Sequence, residues 1–324
     1  MPEAVRIALF WAVMLLLALH LGLALADAAV PAITALTGLS KTKRLKVFIN
    51  KFGQQASTFV LFSGLALFVL LCADLAAIWF FLPQAAPSVL GLPLPLAPFI
   101  GTVALGSIAF LTYRGLWQRL KNNKGRHAFF GILATVCIWA ALYAALAILR
   151  PISLRLPPVA DPQYLLPPAT SLFWRLLALG VALSVALGGV FTGAWLVSRR
   201  NKDDFGRDYY NFTLRLSARI GFLGQIATLA AMAWLVLGLL PLVGELTTRL
   251  AVAVALFGTG TFLALICLAV VMPQENALRH KLMLVVALLA SLAALIGLAS
   301  GLTAIFLPDA LAALTATPGV PPLS

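Results

Sequence analysis

Eight long apolar runs, at roughly 5–30, 56–82, 97–117, 128–149, 171–197, 220–242, 250–272 and 282–307, alternate with short polar gaps. Each is about 20 residues or more, enough at the α-helical rise to cross ~30 Å of hydrocarbon. The pattern predicts an all-α polytopic membrane protein with eight transmembrane helices. Its charges orient it. Of 23 Lys and Arg residues, 18 fall in the gaps after the odd-numbered runs, such as Lys41–Lys51, Arg114–Arg126 and Arg199–Arg219. The other side has Arg6, Arg150, Arg155, Arg175 and Arg249. Because Lys and Arg in short loops stay cytoplasmic, both termini are expected to be extracytoplasmic. The interface aromatics agree, with Tyr113, Trp117 and Trp195 at inner ends and Trp79, Tyr143 and Trp174 at outer ends.

Composition fits this class. The chain is 62 % apolar and 10 % charged, with a mean hydropathy of +1.02, whereas soluble domains are about 25 % charged. A net charge of +13 would point to nucleic acid in a soluble protein. Beside apolar helices it is explained by topology and anionic lipid, so no nucleic-acid partner is expected. Cys72, Cys137 and Cys267 sit in separate apolar runs, outside any C-x-x-C or C-x-x-C-H pattern, and read as small core hydrophobes. Ala24-Leu25-Ala26 before Asp27 resembles a signal-peptidase site. Cleavage there would leave the Lys41–Lys51 cluster outside, so the segment is read as a retained first helix.

A faint internal repeat divides the chain. Leu9-Phe10-Trp11, Lys51-Phe52-Gly53 and Arg126-His127 recur in order as Leu172-Phe173-Trp174, Arg219-Ile220-Gly221 and Arg279-His280. Residues 1–150 and 171–308 are therefore expected to be two parallel four-helix halves, joined by a Pro-rich outer loop at 151–170 and followed by an outer tail at 309–324. Five prolines in 83–98 and six in 150–168 predict irregular caps, which are linkers or a docking surface for an extracytoplasmic partner. The basic gap 199–219, with Phe205, Tyr209, Tyr210 and Phe212, reads as a short helix lying at the cytoplasmic interface. Gly189-x-x-x-Gly193 and Gly297-x-x-x-Gly301 allow close helix approach.

Candidate chemistry is sparse. His20 is the one histidine inside a helix at membrane depth; it would ligate a haem iron or hydrogen-bond a neighbouring helix. Asp27 follows two turns later on the same face, where water or a quinone head group would bridge it to His20, or where it marks the inner end of helix 1. Asp74 is an intramembrane carboxylate in helix 2, which must be protonated, solvated or paired; Arg175 is its first candidate partner and Arg6 its second. His127 and His280 begin helices 4 and 8 and suit interfacial solvation. The sequence contains no nucleotide loop, catalytic triad or H-E-x-x-H, and no evident broken helices of the secondary-transporter kind.

The chain resembles subunit I of the cytochrome bd quinol oxidase superfamily, mainly over helices 1–6. The likeness lies in His20, Lys51-Phe52-Gly53, Leu116-Trp117-Gln118-Arg119-Leu120 and Gly193-Ala194-Trp195-Leu196-Val197, and in two four-helix halves. The family's histidine at the start of helix 5, its helix 3 acids and its long loop after helix 6 have no counterparts here. The resemblance therefore implies a pared-down relative that does not reduce oxygen. The expected function is an integral-membrane subunit of a bacterial respiratory electron-transfer complex in the inner membrane. It would bind one haem b, through His20 as the metal ligand, and/or quinone, with Asp27, Asp74 and Arg175 as polar groups of that site. Expected partners are membrane lipid and other subunits, among them an extracytoplasmic cytochrome. Two rivals are a cofactor-free structural subunit that docks an extracytoplasmic partner and a small-molecule permease lined by Asp74 and His20.

Overall fold

The structure is a computed structural model and describes residues 3–39, 45–81, 93–120, 122–153, 166–243 and 247–306. Eight long helices account for nearly all of them: α1 Glu3–Gly38, α2 Lys46–Phe81, α3 Pro93–Gly115, α4 Lys124–Ser153, α5 Leu172–Arg199, α6 Arg207–Val243, α7 Thr248–Val271 and α8 Lys281–Phe306. A 3₁₀ turn, Ala277–His280, leads into α8. All eight contain a stretch long and apolar enough to span a bilayer. The protein is an all-α, multi-pass membrane protein. The ends joined by the Lys/Arg-rich connections are called the basic end below. The outer tail and most of both Pro-rich loops lie outside the described residues.

Helix boundaries depart from the apolar runs mainly at the basic end. α1 continues past Pro31 to Gly38, and α2 begins at Lys46. The last turn of α1 carries no basic residue; its end is capped from α4, where Lys124 Nζ donates to the Gly38 carbonyl at 2.9 Å. The first turns of α2 carry Lys46 and Lys51, whose apolar stems can lie along the helix. The interfacial helix expected at 199–219 does not exist. Residues 200–206 form a turn, and Arg207 onward is the start of α6. The reason is burial: Tyr209, Tyr210, Leu214 and Ala218 form one helical stripe packed into a cluster with Phe52 of α2. At the opposite end α3 starts at Pro93, because proline is tolerated in a first helical turn where the N–H has no partner.

The core is asymmetric. α5 lies along α6 and α7 along α8, with α6 against α7 and α5 against α8, so α5–α8 close into a ring. α1 lies against α4, α5 and α8 and ties the first four helices to this ring. Small residues set the closest approach. A Cβ at Gly189 would lie 2.7 Å from Gly221 Cα and 2.8 Å from the Ser217 carbonyl. One at Gly297 would lie 2.7 Å from both the Ala253 carbonyl and the Phe257 nitrogen. α2 and α3 meet little beyond the basic end, where Trp117 covers Gly53 and Arg114 Nη1 donates to Thr58 Oγ1 at 3.0 Å.

Candidate functional site: the polar face of α1

His20 sits midway along α1, half-buried, on a face that also carries Leu16, Leu17 and Ala24, all exposed. This face looks toward lipid because α2 leaves the bundle beside it: from Leu65 to Ala73, α2 has no buried residue. The imidazole Nδ1 lies 2.8 Å from the Leu16 carbonyl, one turn back on its own helix. A carbonyl only accepts, so Nδ1 carries the proton. Nε2, which is itself buried, is then the basic nitrogen. That is the tautomer in which a histidine ligates metal through Nε2 while its other nitrogen is anchored to backbone.

Asp27 lies two turns further along the same face. It does not mark the inner end of the helix, because α1 runs eleven residues beyond it to Gly38, roughly 16 Å at the α-helical rise. Its carboxyl is covered by α2. Ser63 Oγ lies 2.5 Å from Oδ1, and a Cβ at Gly64 would sit 3.8 Å from Oδ2. Ser63 Oγ is also 2.8 Å from the Phe59 carbonyl, so its single proton serves one of the two oxygens at a time. Pro31 adds local polarity. It has no N–H to offer the Asp27 carbonyl one turn earlier, and the Ala32 N–H turns to Thr135 Oγ1 of α4 at 3.1 Å. Ser63, Gly64 and Pro31 are the supporting residues that a search restricted to ionisable side chains passes over. A polar residue and a glycine adjacent in an apolar run were the available signal.

Arg175 is not part of this face. It lies in the first turn of α5, where its guanidinium carbon is 5.7 Å from the Trp234 ring centroid of α6. A Cβ at Gly238, one turn beyond Trp234, would overlap the guanidinium. Nη1 is buried against that glycine with no hydrogen-bond partner among the described residues. Trp234 and Gly238 thus form an aromatic wall and a bare backbone floor for the cation. Asp74 is in α2; its side chain, and with it the pairing with Arg175, lies outside the described residues, as does the Arg6 side chain. His127 is absorbed by structure: its Nε2 is 2.8 Å from the Tyr113 carbonyl, and its ring stacks on Tyr113 at 4.3 Å.

Among the described residues no group of three or more His, Cys, Asp or Glu side chains could hold a metal ion. The arrangement offers a half-buried imidazole whose Nδ1 is anchored to its own helix and, two turns toward the basic end, a covered carboxyl–hydroxyl pair. It suits a flat apolar group that enters from the bilayer and needs few polar contacts. No protein-family model matches the chain, and no curated protein matches it either.

Proposed function

We propose that this chain is an integral-membrane subunit of a bacterial respiratory electron-transfer complex in the inner membrane, with both termini extracytoplasmic and two parallel four-helix halves. It holds a lipid-soluble redox group, haem b or quinone, on the α1 face that carries His20 and Asp27. The observation that carries the reading is the polar face of α1, where His20, its Nδ1 2.8 Å from the Leu16 carbonyl, stands two turns from the Asp27–Ser63 pair. Bound haem would supply one-electron transfer. His20 would hold its iron, Leu16 would fix the imidazole plane, and the apolar α1–α2 flank would exclude water. For a quinone, the Asp27–Ser63 pair would hydrogen-bond a head-group oxygen. The resemblance to cytochrome bd subunit I supports the class. Other subunits, an extracytoplasmic cytochrome among them, would complete the electron path.

The purified protein should show a b-type band in a reduced-minus-oxidised spectrum, or carry quinone that organic solvent extracts. His20→Ala should remove the band, and His20→Met should shift it, with helix content by circular dichroism unchanged in both. Asp27→Asn should lower quinone retention several-fold. Preparations that contain neither haem nor quinone, in native membranes as well as after purification, would defeat the reading.

A further inference from the structure

A second candidate site lies inside the α5–α8 ring, away from His20. All four helices wall a half-enclosed cavity of about 50 Å³. It runs to Leu172, Leu250 and Ile305, at the helix ends opposite the basic end, and no charged residue lines it. Met232 of α6 and Phe257 of α7 belong to its wall. One turn further toward the basic end, on the same faces, stand Thr228 and Thr261. They share one level. A Cβ at Gly221 would touch Leu268 at 3.1 Å and one at Gly258 would touch Met232 at 3.6 Å, and these contacts fix the α6–α7 register on either side of them. Gln225, three residues from Thr228, donates from Nε2 to Ser291 Oγ of α8 at 3.2 Å.

These four polar residues are buried to within 2 % of complete. Yet Oε1 of Gln225 and the hydroxyls of Thr228 and Thr261 have no hydrogen-bond partner among the described residues. Helical threonines ordinarily return the hydroxyl to their own backbone, as Thr213, Thr259 and Thr303 do on the same three helices. A polar group left bare at membrane depth is expensive, because no water is there to satisfy it. Two hydroxyls and an amide oxygen without partners among the described residues, one turn beyond the wall of an apolar cavity, describe the outline of a ligand.

We infer that the cavity and the Gln225–Thr228–Thr261–Ser291 cluster form one binding site for an uncharged single-chain amphiphile with a hydroxyl or carbonyl head. The two threonine hydroxyls donate to the head oxygen, and Gln225 Oε1 accepts from a head hydroxyl. A charged head is excluded because no countercharge lines the cavity or the cluster, and an unpaired charge at that depth is expensive. Water alone would satisfy the cluster but not the apolar cavity, which stays dry without polar partners. With about 10–15 Å³ needed per water-sized group, the cavity holds the first few carbons, and the rest of the chain leaves by its mouth. The inference stands apart from the His20 reading, and neither depends on the other.

The test uses the full chain in phosphatidylcholine nanodiscs with a diazirine-bearing dodecanol, mapping the photolabelled peptides. Labels should concentrate on α6–α8 around residues 225–236, 254–261 and 291–298. Excess 1-dodecanol should compete at least ten-fold better than dodecylammonium or dodecyltrimethylammonium. Thr228→Val/Thr261→Val should cut labelling by an order of magnitude, and Val236→Phe, which fills the cavity and leaves the cluster intact, should do the same. Labelling spread over the lipid-facing surfaces and unchanged in both variants overturns the inference. So does a threonine double variant that is more stable than wild type with unaltered labelling, because the cluster is then dry, or a high-resolution map with water alone at the cluster under saturating dodecanol.

Discussion

The first four helices and the last four are about equally oily, yet α5 in the second group is packed far more closely than α3 in the first. Sixty-one per cent of the most apolar stretch of α5 is buried, against 17 % for α3, although their hydropathies are 2.0 and 1.6. α7, with a higher hydropathy of 2.4, is 39 % buried. Hydropathy therefore does not sort packed helices from splayed ones. This is expected in a bilayer, where lipid tails are as apolar as leucine and burial alone gives helices no reason to associate. The distinguishing feature is small residues at the contact. Gly189, Gly221 and Gly224 bring α5 and α6 to backbone contact, and Gly260 and Gly297 do so for α7 and α8. On α3, Gly101 and Gly115 face nothing within 4 Å, and Gly106 meets side chains of α4, Ile138 and Cys137. In the first group backbone contact is made by Gly131 of α4, where a Cβ would lie 2.8 Å from the Pro31 carbonyl of α1.

The largest test of this contrast substitutes glycines on either side of it. Gly189→Leu and Gly224→Leu would each drive a side chain into the backbone of the facing helix and should cost about 3 kcal/mol or more of unfolding free energy in detergent. Gly101→Ala has open space around it and should instead stabilise α3 by about 0.5–1 kcal/mol, through helix propensity alone. Equal costs at Gly189 and Gly101 would end the argument that backbone contact, rather than apolarity, separates α5 from α3.

A smaller effect should appear where the loosely packed group relies on hydrogen bonds. α3 is held to α1 at the basic end by Tyr113 OH, 2.9 Å from Thr34 Oγ1, with both side chains buried. Tyr113→Phe keeps the ring stack on His127 and should cost about 1 kcal/mol. Thr34→Val should cost no more, and the double variant should be less destabilised than the sum of the two. Additivity in that cycle would show that the pair does not join α1 to α3.

Much of the architecture was legible because a bilayer imposes it: long apolar runs must be helices, and eight runs gave eight helices. What polar side chains do at a helix end was not. The 199–219 segment has the charges and aromatics of a surface helix, but Tyr209 and Tyr210 are consumed by packing on Phe52, so the residues join α6. Asp27 has two readings along the chain, a bridged polar group or the inner end of helix 1. The second fails because Thr135 on α4 takes up the Ala32 N–H and the helix continues past Pro31 to Gly38. The environment of Arg175 could not be read along the chain at all. It depends on Trp234 and Gly238, which are close in space but some 60 residues away in sequence.

The subtlest expected effect concerns the bridge between the two groups at the basic end. Asp203 accepts from Arg199 Nε at 2.8 Å and Nη2 at 2.9 Å, and from Gln55 Nε2 of α2 at 3.1 Å. Tyr209 OH closes the link on Gln55 Oε1 at 2.6 Å. The Arg199 hydrogen bonds hold the Asp203 carboxyl below its ordinary range; partial burial opposes this, and the Gln55 bond adds to the lowering. A carboxyl depressed in the folded state stabilises the protein fully above the unfolded value of about 3.9 and loses that contribution as pH falls through the folded value. The stability lost in Arg199→Ala should therefore be full and flat above about pH 5 and shrink below about pH 4. It should stay smaller than the Tyr113→Phe effect, because both partners are partly solvated. Gln55→Leu should leave most of this acid dependence in place, since Arg199 supplies the larger share, while weakening the hold of α2 on the turn before α6. If Gln55→Leu instead abolished the acid dependence and Arg199→Ala left it intact, the carboxylate would be held from the first group of helices rather than the second.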